Sequence, residues 1–143
     1  MIQLKKQLSI ILVLIWMIII FIMSSFNAED SANQSNFIVN IIANILNINN
    51  ISLLSLIIRK LAHFTEYLIL GTLVINMFTK NNAKKTYLLS ILLCIIYAIS
   101  DEIHQIFTPG RACQIKDILI DSIGSITGIY LYKLISKRKK SIN

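Results

Sequence analysis

Long apolar blocks alternate with short polar stretches along this chain. A helix that crosses a bilayer needs about 20 consecutive, mostly apolar residues. Blocks close to that length predict spans at residues 8–26, 61–79, 86–107 and 115–136. The first block contains no charged residue, so we expect that span to anchor and to pack. The pattern predicts an all-α fold, an integral membrane bundle of four transmembrane helices.

A further apolar segment, residues 37–58, has a polar stripe. Asparagines recur there at three- and four-residue spacing: Asn36, Asn40, Asn44 and Asn47. One polar stripe on an apolar helix is typical of a helix in the membrane interface. A fifth span is the alternative, but it leaves only Arg59 and Lys60 as a turn and divides the lysines between the two sides. We therefore predict one interfacial or re-entrant amphipathic helix, with the asparagine-rich run at residues 47–50 marking its end.

The composition supports one membrane domain over residues 1–143. Of the 143 residues, 55% are hydrophobic, and the mean hydropathy is +0.69. A soluble domain averages only about 45–50% apolar residues, and the predicted spans leave no room for a separate soluble module. The first apolar run follows Lys5 and Lys6 as in a signal peptide. It exceeds the roughly 7–15 residues of a signal h-region, so we expect it to be retained.

The basic residues fall on the two sides of the predicted bundle in unequal numbers. Ten precede the first span, follow the second, or lie near or after the end of the fourth: Lys5, Lys6, Lys80, Lys84, Lys85, Lys133, Lys137, Arg138, Lys139 and Lys140. Four lie on the opposite side: Arg59, Lys60, Arg111 and Lys116. The positive-inside rule makes the larger group cytoplasmic. We expect a multi-pass protein of the cell membrane with both termini in the cytoplasm.

The acidic residues show the opposite asymmetry. All seven lie in an outer loop or in the outer part of a span: Glu29, Asp30, Glu66, Asp101, Glu102, Asp117 and Asp121. This distribution marks the extracytoplasmic side as the candidate working face. The net charge of +7 does not indicate nucleic-acid binding, because the basic residues flank apolar blocks and form no patch with interleaved aromatic residues. The expected partner is the lipid bilayer, and no nucleic-acid partner is expected.

Polar residues share one face in each of the last three spans. In the second span they lie within a sector of about 120°: Arg59, Lys60, His63, Glu66 and Tyr67. In the third span they are Tyr97, Asp101, His104 and Gln105. In the fourth span they are Asp117 and Asp121, followed on the same stripe by Gly124 and Gly128. Glu102 points away from the face of its helix, and we expect it to be a solvated charge at the rim.

The turn at residues 109–111 should hold Arg111 in place, because proline and glycine there favour a tight turn. Asp117 and Asp121 lie one helical turn apart, so their charges repel unless cations compensate them. We expect Asp101 or Asp117 to pair with Arg111. Such a pair would join the third and fourth spans at their outer ends.

A purely structural role is the alternative for these residues. Lys60 can snorkel to the interface, and Gly124 and Gly128 are typical of close helix packing. Ionisable residues from three helices nevertheless converge on one side, and each costs roughly 2.5–3.5 kcal/mol at the bilayer centre, which favours a functional site. Cys94 and Cys113 should lie at different depths, so no disulfide is predicted. The residue spacing predicts no metal site and no cofactor.

Three stretches resemble the VanZ-like family of membrane proteins: residues 59–67 (RKLAHFTEY), 100–111 (SDEIHQIFTPGR) and 116–124 (KDILIDSIG). The resemblance implies that the polar positions of the family are here Lys60, His63, Tyr67, Asp101, Glu102, Gln105, Arg111, Asp117 and Gly124. Asp121 stands where many relatives are expected to have asparagine. The family is named for a glycopeptide-resistance factor. The resemblance therefore implies a bacterial cell-envelope role linked to teicoplanin-type antibiotics, and it implies no particular reaction.

These residues fit several functions. One is a binding protein, in which Arg59, Arg111 and Lys116 hold an anionic lipid or a lipid-linked envelope precursor. Another is an enzyme acting on a lipid or lipid-linked phosphate, with His63 as acid or base and Asp101 or Asp117 orienting it. A transporter ranks last, because no polar path crosses the inner leaflet. The predicted catalytic residues are His63, Asp101 and Asp117, and the predicted ligand-binding residues are Lys60, Tyr67, Glu102, Gln105 and Arg111. The ligand, the occurrence of catalysis and the oligomeric state stay open at this point.

Overall fold

The computed structural model describes residues 2–142, with the side chains of residues 3–136. Its helices are α1 (Ile2–Ser24), α2 (Ala28–Leu46), α3 (Ile51–Lys80), α4 (Thr86–Gln105) and α5 (Ile115–Ile142), and residues 2–142 contain no strand. Four stretches are long and apolar enough to cross a membrane: Gln3–Ser24, Ile51–Lys80, Thr86–Gln105 and Ile115–Ser136. The prediction of an all-α, multi-pass membrane protein is confirmed. The basic side chains predicted as cytoplasmic at positions 137–140 lie outside the described residues.

The four long helices form two parallel pairs. Lys60 of α3 contacts Asp117 near the start of α5, and Tyr132 of α5 donates a hydrogen bond to Asn76 much further along α3. In the other pair, the Tyr97 hydroxyl of α4 donates to the Met17 carbonyl oxygen of α1 at 2.5 Å, and His104 near the end of α4 contacts Ser25 just after α1. The C-termini of α1 and α4 therefore lie together. The short loop from α4 to α5 puts the N-terminus of α5 at the same end of the bundle. We name this end the site end.

Close packing of α3 on α5 fixes the register between these two helices. A Cβ atom at Gly124 would overlap the carbonyl oxygen of Phe64, and one at Gly128 would overlap that of Leu68. The glycines therefore bring the two backbones into direct contact, as the small-residue spacing predicted. This register determines which polar side chains of α3 face those of α5.

The outer surface of the bundle is apolar, as lipid contact requires. Large side chains that are at least half exposed include Leu8, Phe21, Ile103 and Tyr130. The interior between α1, α3 and α4 contains Val13, Ile20, Tyr67, Leu70, Val74, Cys94 and Ala98. Lipid tails replace water around such a protein, so exposed apolar side chains cost little there.

The segment predicted as one helix at residues 37–58 is divided in the structure. Asn47 adopts a left-handed conformation (φ 51°) and ends α2, and the Asn50 side chain accepts a hydrogen bond from the Leu53 N–H at the start of α3. Asparagine tolerates left-handed backbone and caps helix N-termini well. The asparagine-rich run thus ends the amphipathic helix as predicted, but residues 51–58 belong to the next helix. Helix α3 therefore begins at Ile51, ten residues before the predicted start of the second span at residue 61, and the limits of the span itself stay a prediction.

Helix α2 presents three different faces. Val39 and Ala43 are buried and pack with Leu54 of α3. Asn33, Asn36, Asn40 and Asn44 form an exposed polar face, and Phe37, Ile38, Ile41 and Ile45 form an exposed apolar face. A helix with separate polar and apolar outer faces suits the boundary between water and lipid. It also covers the site end of the bundle along the first turns of α3.

Candidate functional site

Polar side chains of three helices and one loop meet at the site end. We name them the polar cluster: Lys60, His63, Glu66, Tyr67, Asp101, Glu102, Gln105, Arg111, Asp117 and Asp121. All eight residues predicted for the site belong to it. Asp101, Glu102, Gln105, Asp117 and Asp121 are buried. Burial of so many ionisable groups in a membrane bundle is costly, and such groups commonly mark functional positions.

Lys60 and Asp117 form an ion pair between α3 and α5. Their side chains are 28% and 10% exposed, so the pair lies at the edge of the cluster. The expectation that Asp117 or Asp101 pairs with Arg111 was wrong, because the parallel register of α3 and α5 brings Lys60 to Asp117 first. Lys60 also does not simply snorkel to the interface, since a carboxylate holds its ammonium group.

His63 and Asp121 form a second contact one turn deeper along the same two helices. The His63 Nδ1 atom lies 3.7 Å from Asp121 Oδ1, and Asp121 is fully buried. The sequence interpretation assigned the orienting of His63 to Asp101 or Asp117, whereas Asp121 is the carboxylate within salt-bridge distance. The contact of His63 with a carboxylate of the fourth span could have been predicted from the sequence, because the second and fourth spans of a four-span protein run in the same direction.

Glu102 and Gln105 stabilise the last turns of α4. The Gln114 backbone N–H, just before α5, donates a 2.7 Å hydrogen bond to Glu102 Oε2. Glu102 is fully buried, so the prediction of a solvated rim charge was wrong. The chain reverses through Gly110, whose φ is 74°, and this reversal brings Gln114 over the carboxylate. Gln105 Nε2 donates to Asp101 Oδ2 at 3.5 Å.

Arg111 connects the loop to α2. Its Nη2 atom donates to the Ser31 hydroxyl at 2.8 Å, and the Ala28 N–H donates to the Pro109 carbonyl oxygen at 3.2 Å. The predicted constraint on Arg111 is therefore present, but its partner is a serine of α2 that sequence reasoning missed. Burial lowers the pKa of the Arg111 guanidinium from its ordinary value, which still leaves it charged at neutral pH.

Several buried polar atoms of the polar cluster and of Ser24 beside it have no hydrogen-bond partner among the described residues. They are Ser24 Oγ, His63 Nδ1, Tyr67 Oη, Asp101 Oδ1, Glu102 Oε1, Arg111 Nε and both carboxylate oxygens of Asp121. Buried polar atoms in proteins are normally hydrogen-bonded, and each one left unpaired costs roughly 1–3 kcal/mol. The cluster thus has more hydrogen-bonding capacity than its own helices use, which is typical of a binding or catalytic site.

Two cavities adjoin the cluster. The α2 cavity, of about 170 Å³, lies between α2 and the bundle and is lined by Met23, Ser24, Ser31, Gln34, Ser35, Ile38, Ile58, Arg59, Ala62, His63, Glu66, Asp101 and Arg111. The α5 cavity, of about 270 Å³, lies between α3 and the start of α5 and is lined by Ser52, Ser55, Leu56, Arg59, Lys60, His63, Gln114 and Asp117. Arg59 and His63 line both cavities, so they stand where the two adjoin.

Arg59 is a further cation at the site end, next to the polar cluster. Within the described part of the chain, no carboxylate lies within 4.0 Å of its guanidinium, whereas Lys60 is paired with Asp117. Its guanidinium presents a planar set of N–H donors that matches the oxygens of a phosphate or carboxylate. Arg59 is therefore well placed to bind an anion at the junction of the two cavities.

His104 and Tyr97, predicted on the polar face of the third span, contact α1 instead. The His104 ring stacks on Phe21 with centroids 4.3 Å apart, and its Nε2 lies 3.0 Å from the Ser25 hydroxyl. Both residues join α4 to α1 and line neither cavity. Within the described residues, no group of three or more histidines, cysteines or carboxylates could hold a metal ion.

A comparison of the sequence with models of known families gives one match that covers the site. A sequence model of the VanZ/LLP1 family matches residues 9–136. The chain belongs to the VanZ/LLP1 family. The match covers the polar cluster and almost the whole length of the four spans. Comparisons of this VanZ/LLP1 chain with curated proteins and with solved structures found no match.

Proposed function

We propose that this VanZ/LLP1 protein binds the phosphate of an anionic lipid or lipid-linked envelope precursor, through a site made by one domain over residues 1–143. The observation that carries the proposal is Arg59, a cation without a carboxylate partner among the described residues, at the junction of two cavities. We also propose a role in glycopeptide tolerance of the teicoplanin type, which the resemblance to the glycopeptide-resistance factor supports. Binding of an envelope lipid by this protein would change the access of such an antibiotic to its target.

The proposed orientation puts the site end outside the bacterial cell membrane and both termini in the cytoplasm. The basic residues support it, because the loop with Lys80, Lys84 and Lys85 lies at the bundle end opposite the polar cluster. Positive charge is concentrated on the cytoplasmic side of membrane proteins. In this orientation α2 lies in the outer interface, with its asparagine face towards water and its apolar face towards lipid.

The lining of the α2 cavity suits an amphiphilic anion. Met23, Ile38 and Ile58 supply apolar surface, while Arg59 and Arg111 supply donors for phosphate oxygens. A lipid headgroup has the same division between an apolar and an anionic part. The same cavity is also lined by the carboxyl groups of Glu66 and Asp101.

A second candidate function is an enzyme that acts on a lipid-linked phosphate. The contact between His63 Nδ1 and Asp121 favours it, because a carboxylate that orients one ring nitrogen leaves the other to act as general acid or base. His63 lines both cavities, so it can reach a group bound at Arg59. In this mechanism Asp121 positions His63, and Arg111 stabilises charge that develops on the phosphate. Turnover of a bound lipid phosphate by the purified protein would distinguish the enzyme from the binding protein.

The binding proposal predicts an effect of Arg59→Ala on lipid affinity. Phosphatidic acid, which presents a bare phosphate, should bind the purified protein more tightly than zwitterionic phosphatidylcholine does. Loss of a charge-assisted hydrogen bond should weaken phosphatidic acid binding by about tenfold or more. Native mass spectrometry with lipid titration measures this.

The matched control is Lys116→Ala, which removes an exposed positive charge from the site end but from neither cavity. This variant should bind as the unchanged protein does. Competition by increasing concentrations of inorganic phosphate distinguishes a lipid from a soluble ligand. Inorganic phosphate should compete only weakly with the lipid. Equal binding by Arg59→Ala and the unchanged protein would refute the proposal.

A further inference from the structure

We infer that the α5 cavity binds an uncharged, hydroxyl-rich headgroup attached to the phosphate at Arg59. The inference rests on the proposed function and names the ligand class more closely. The ligand is then an anionic lipid whose phosphate carries a polyol, such as a glycerol or a sugar. Simple phosphatidic acid would occupy the site only in part.

The chemistry of the α5 cavity differs from that of the α2 cavity. Besides the shared Arg59 and His63, it is lined by two serine hydroxyls, the side chain of Gln114 and the ion pair of Lys60 with Asp117. Hydroxyl and amide groups both donate and accept hydrogen bonds. Such a lining matches a ligand that also donates and accepts, as a polyol does.

The charge of the α5 cavity argues against a second phosphate. Lys60 is neutralised by Asp117, so Arg59 is the one cation of this lining that no carboxylate among the described residues holds. Asp117 contacts Lys60 through Oδ1, which leaves Oδ2 to accept a hydrogen bond from a ligand hydroxyl. An additional anionic group would be repelled by this carboxylate. The cavity therefore favours a neutral group.

The position of the α5 cavity puts this group on the water side of the phosphate. Lys60 is level with the first turn of α5 through its contact with Asp117, and Ser52 lies eight residues nearer the start of α3. At a rise of 1.5 Å per residue, Ser52 lies about 12 Å beyond Lys60 along the axis of α3, in the direction away from the centre of the bundle. The lipid thus extends from the apolar wall of the α2 cavity, past Arg59, to the serines of the α5 cavity.

Both serines are accessible to a ligand. Ser52 is exposed and donates its hydroxyl proton to Asn50 Oδ1 at 2.9 Å, so its oxygen can accept a hydrogen bond from a ligand. Ser55 is half-buried one turn further along α3 and faces the same cavity. Two hydroxyls at i and i+3 lie on one side of a helix. Together they can bind neighbouring hydroxyl groups of one polyol.

The test compares phosphatidylglycerol with phosphatidylpropanol, two phosphodiesters of equal charge that differ by the two hydroxyl groups of the headgroup. The unchanged protein, purified in detergent, should bind phosphatidylglycerol at least about fivefold more tightly, as expected for one additional net hydrogen bond. The double variant Ser52→Ala/Ser55→Ala should lose that preference and keep its affinity for phosphatidylpropanol. The control Ser122→Ala, whose hydroxyl bonds within α5 to the Ile118 carbonyl oxygen, should keep the preference.

The outcomes separate this inference from the proposal on which it rests. Equal affinity for the two lipids, still reduced by Arg59→Ala, would overturn the polyol inference and leave the phosphate site standing. Failure of both lipids to bind would overturn the proposed function itself. Soluble glycerol 3-phosphate should not displace phosphatidylglycerol at comparable concentrations. Displacement at such concentrations would overturn the assignment to a lipid.

Discussion

Among individual residues, Asp117 and Asp121 show how one helix can carry two carboxylates in different environments. Asp117 has an ammonium partner in Lys60 at the edge of the cluster. Asp121 is fully buried, and neither of its oxygens has a hydrogen-bond partner among the described residues. A buried carboxyl group without a hydrogen-bond partner costs free energy, so Asp121 should reduce stability where Asp117 increases it.

This difference predicts opposite effects of the same substitution. Asp117→Asn leaves Lys60 without a counter-charge and should lower the free energy of unfolding by roughly 1–3 kcal/mol. Asp121→Asn replaces a buried carboxyl group that has no hydrogen-bond partner among the described residues with a neutral amide of almost the same volume, and it should preserve or raise stability. Thermal unfolding of the two variants in the same detergent measures the difference. A lower midpoint for Asp121→Asn than for Asp117→Asn would contradict this account.

Helical periodicity was sufficient to group the polar residues, but it could not determine their partners. The faces of α3 and α5 followed from spacing alone, and Lys60, His63 and Asp117 do lie together. Glu102 was misplaced because a helical wheel shows the direction of a side chain and not the loop that folds over it. The Arg111 partner, Ser31, comes from 80 residues earlier in the chain, beyond the reach of any local pattern.

Among the helices, α2 illustrates what an apolar pattern can and cannot show. The asparagine stripe predicted its polar face, and the asparagine-rich run predicted its end. Hydropathy could not show where α3 begins, because residues 51–58 are as apolar as the segment before them. The boundary depends on the left-handed Asn47 and the capping side chain of Asn50, which are local backbone features.

The interfacial position proposed for α2 predicts a pattern of chemical accessibility. Single cysteines replacing Asn40 or Asn44 should react rapidly with a water-soluble maleimide. Cysteines replacing Ile41 or Ile45, on the exposed apolar face, should react slowly because lipid covers them. The background variant carries Cys113→Ser, since Cys113 is exposed whereas Cys94 is buried. Rapid reaction at the isoleucine positions with slow reaction at the asparagines would show that the helix is oriented otherwise.

In the molecule as a whole, the number of spans followed from hydropathy, because each apolar block is long enough to cross the bilayer alone. The arrangement of the helices was harder to predict. Alternating spans require α3 and α5 to be parallel, and the close contacts of Gly124 with Phe64, Gly128 with Leu68 and Gly71 with Ser125 fix their register. That register decides that His63 meets Asp121 instead of Asp117.

The distribution of charge predicts the orientation of the molecule. In intact cells, a membrane-impermeant maleimide should label a cysteine replacing Asp30, near the site end. A cysteine replacing Lys84, in the loop between α3 and α4, should react only after the cells are permeabilised. The physical reason is the excess of lysine at that loop and at the termini. Labelling of Lys84→Cys but not Asp30→Cys in intact cells would reverse the orientation.

The two histidines of the chain provide a test of function in the cell. His63 lines both cavities and approaches Asp121, whereas His104 stacks on Phe21 outside them. His63→Gln keeps a polar side chain and leaves the Lys60–Asp117 pair unchanged. In cells whose teicoplanin tolerance depends on this protein, His63→Gln should remove the tolerance and His104→Gln should retain it. Growth at graded antibiotic concentrations measures this, with the amount of each variant in the membrane determined in parallel. Full tolerance with normally expressed, folded His63→Gln would show that the polar cluster is structural, because His63 lines both of the cavities in which the ligand is proposed to lie.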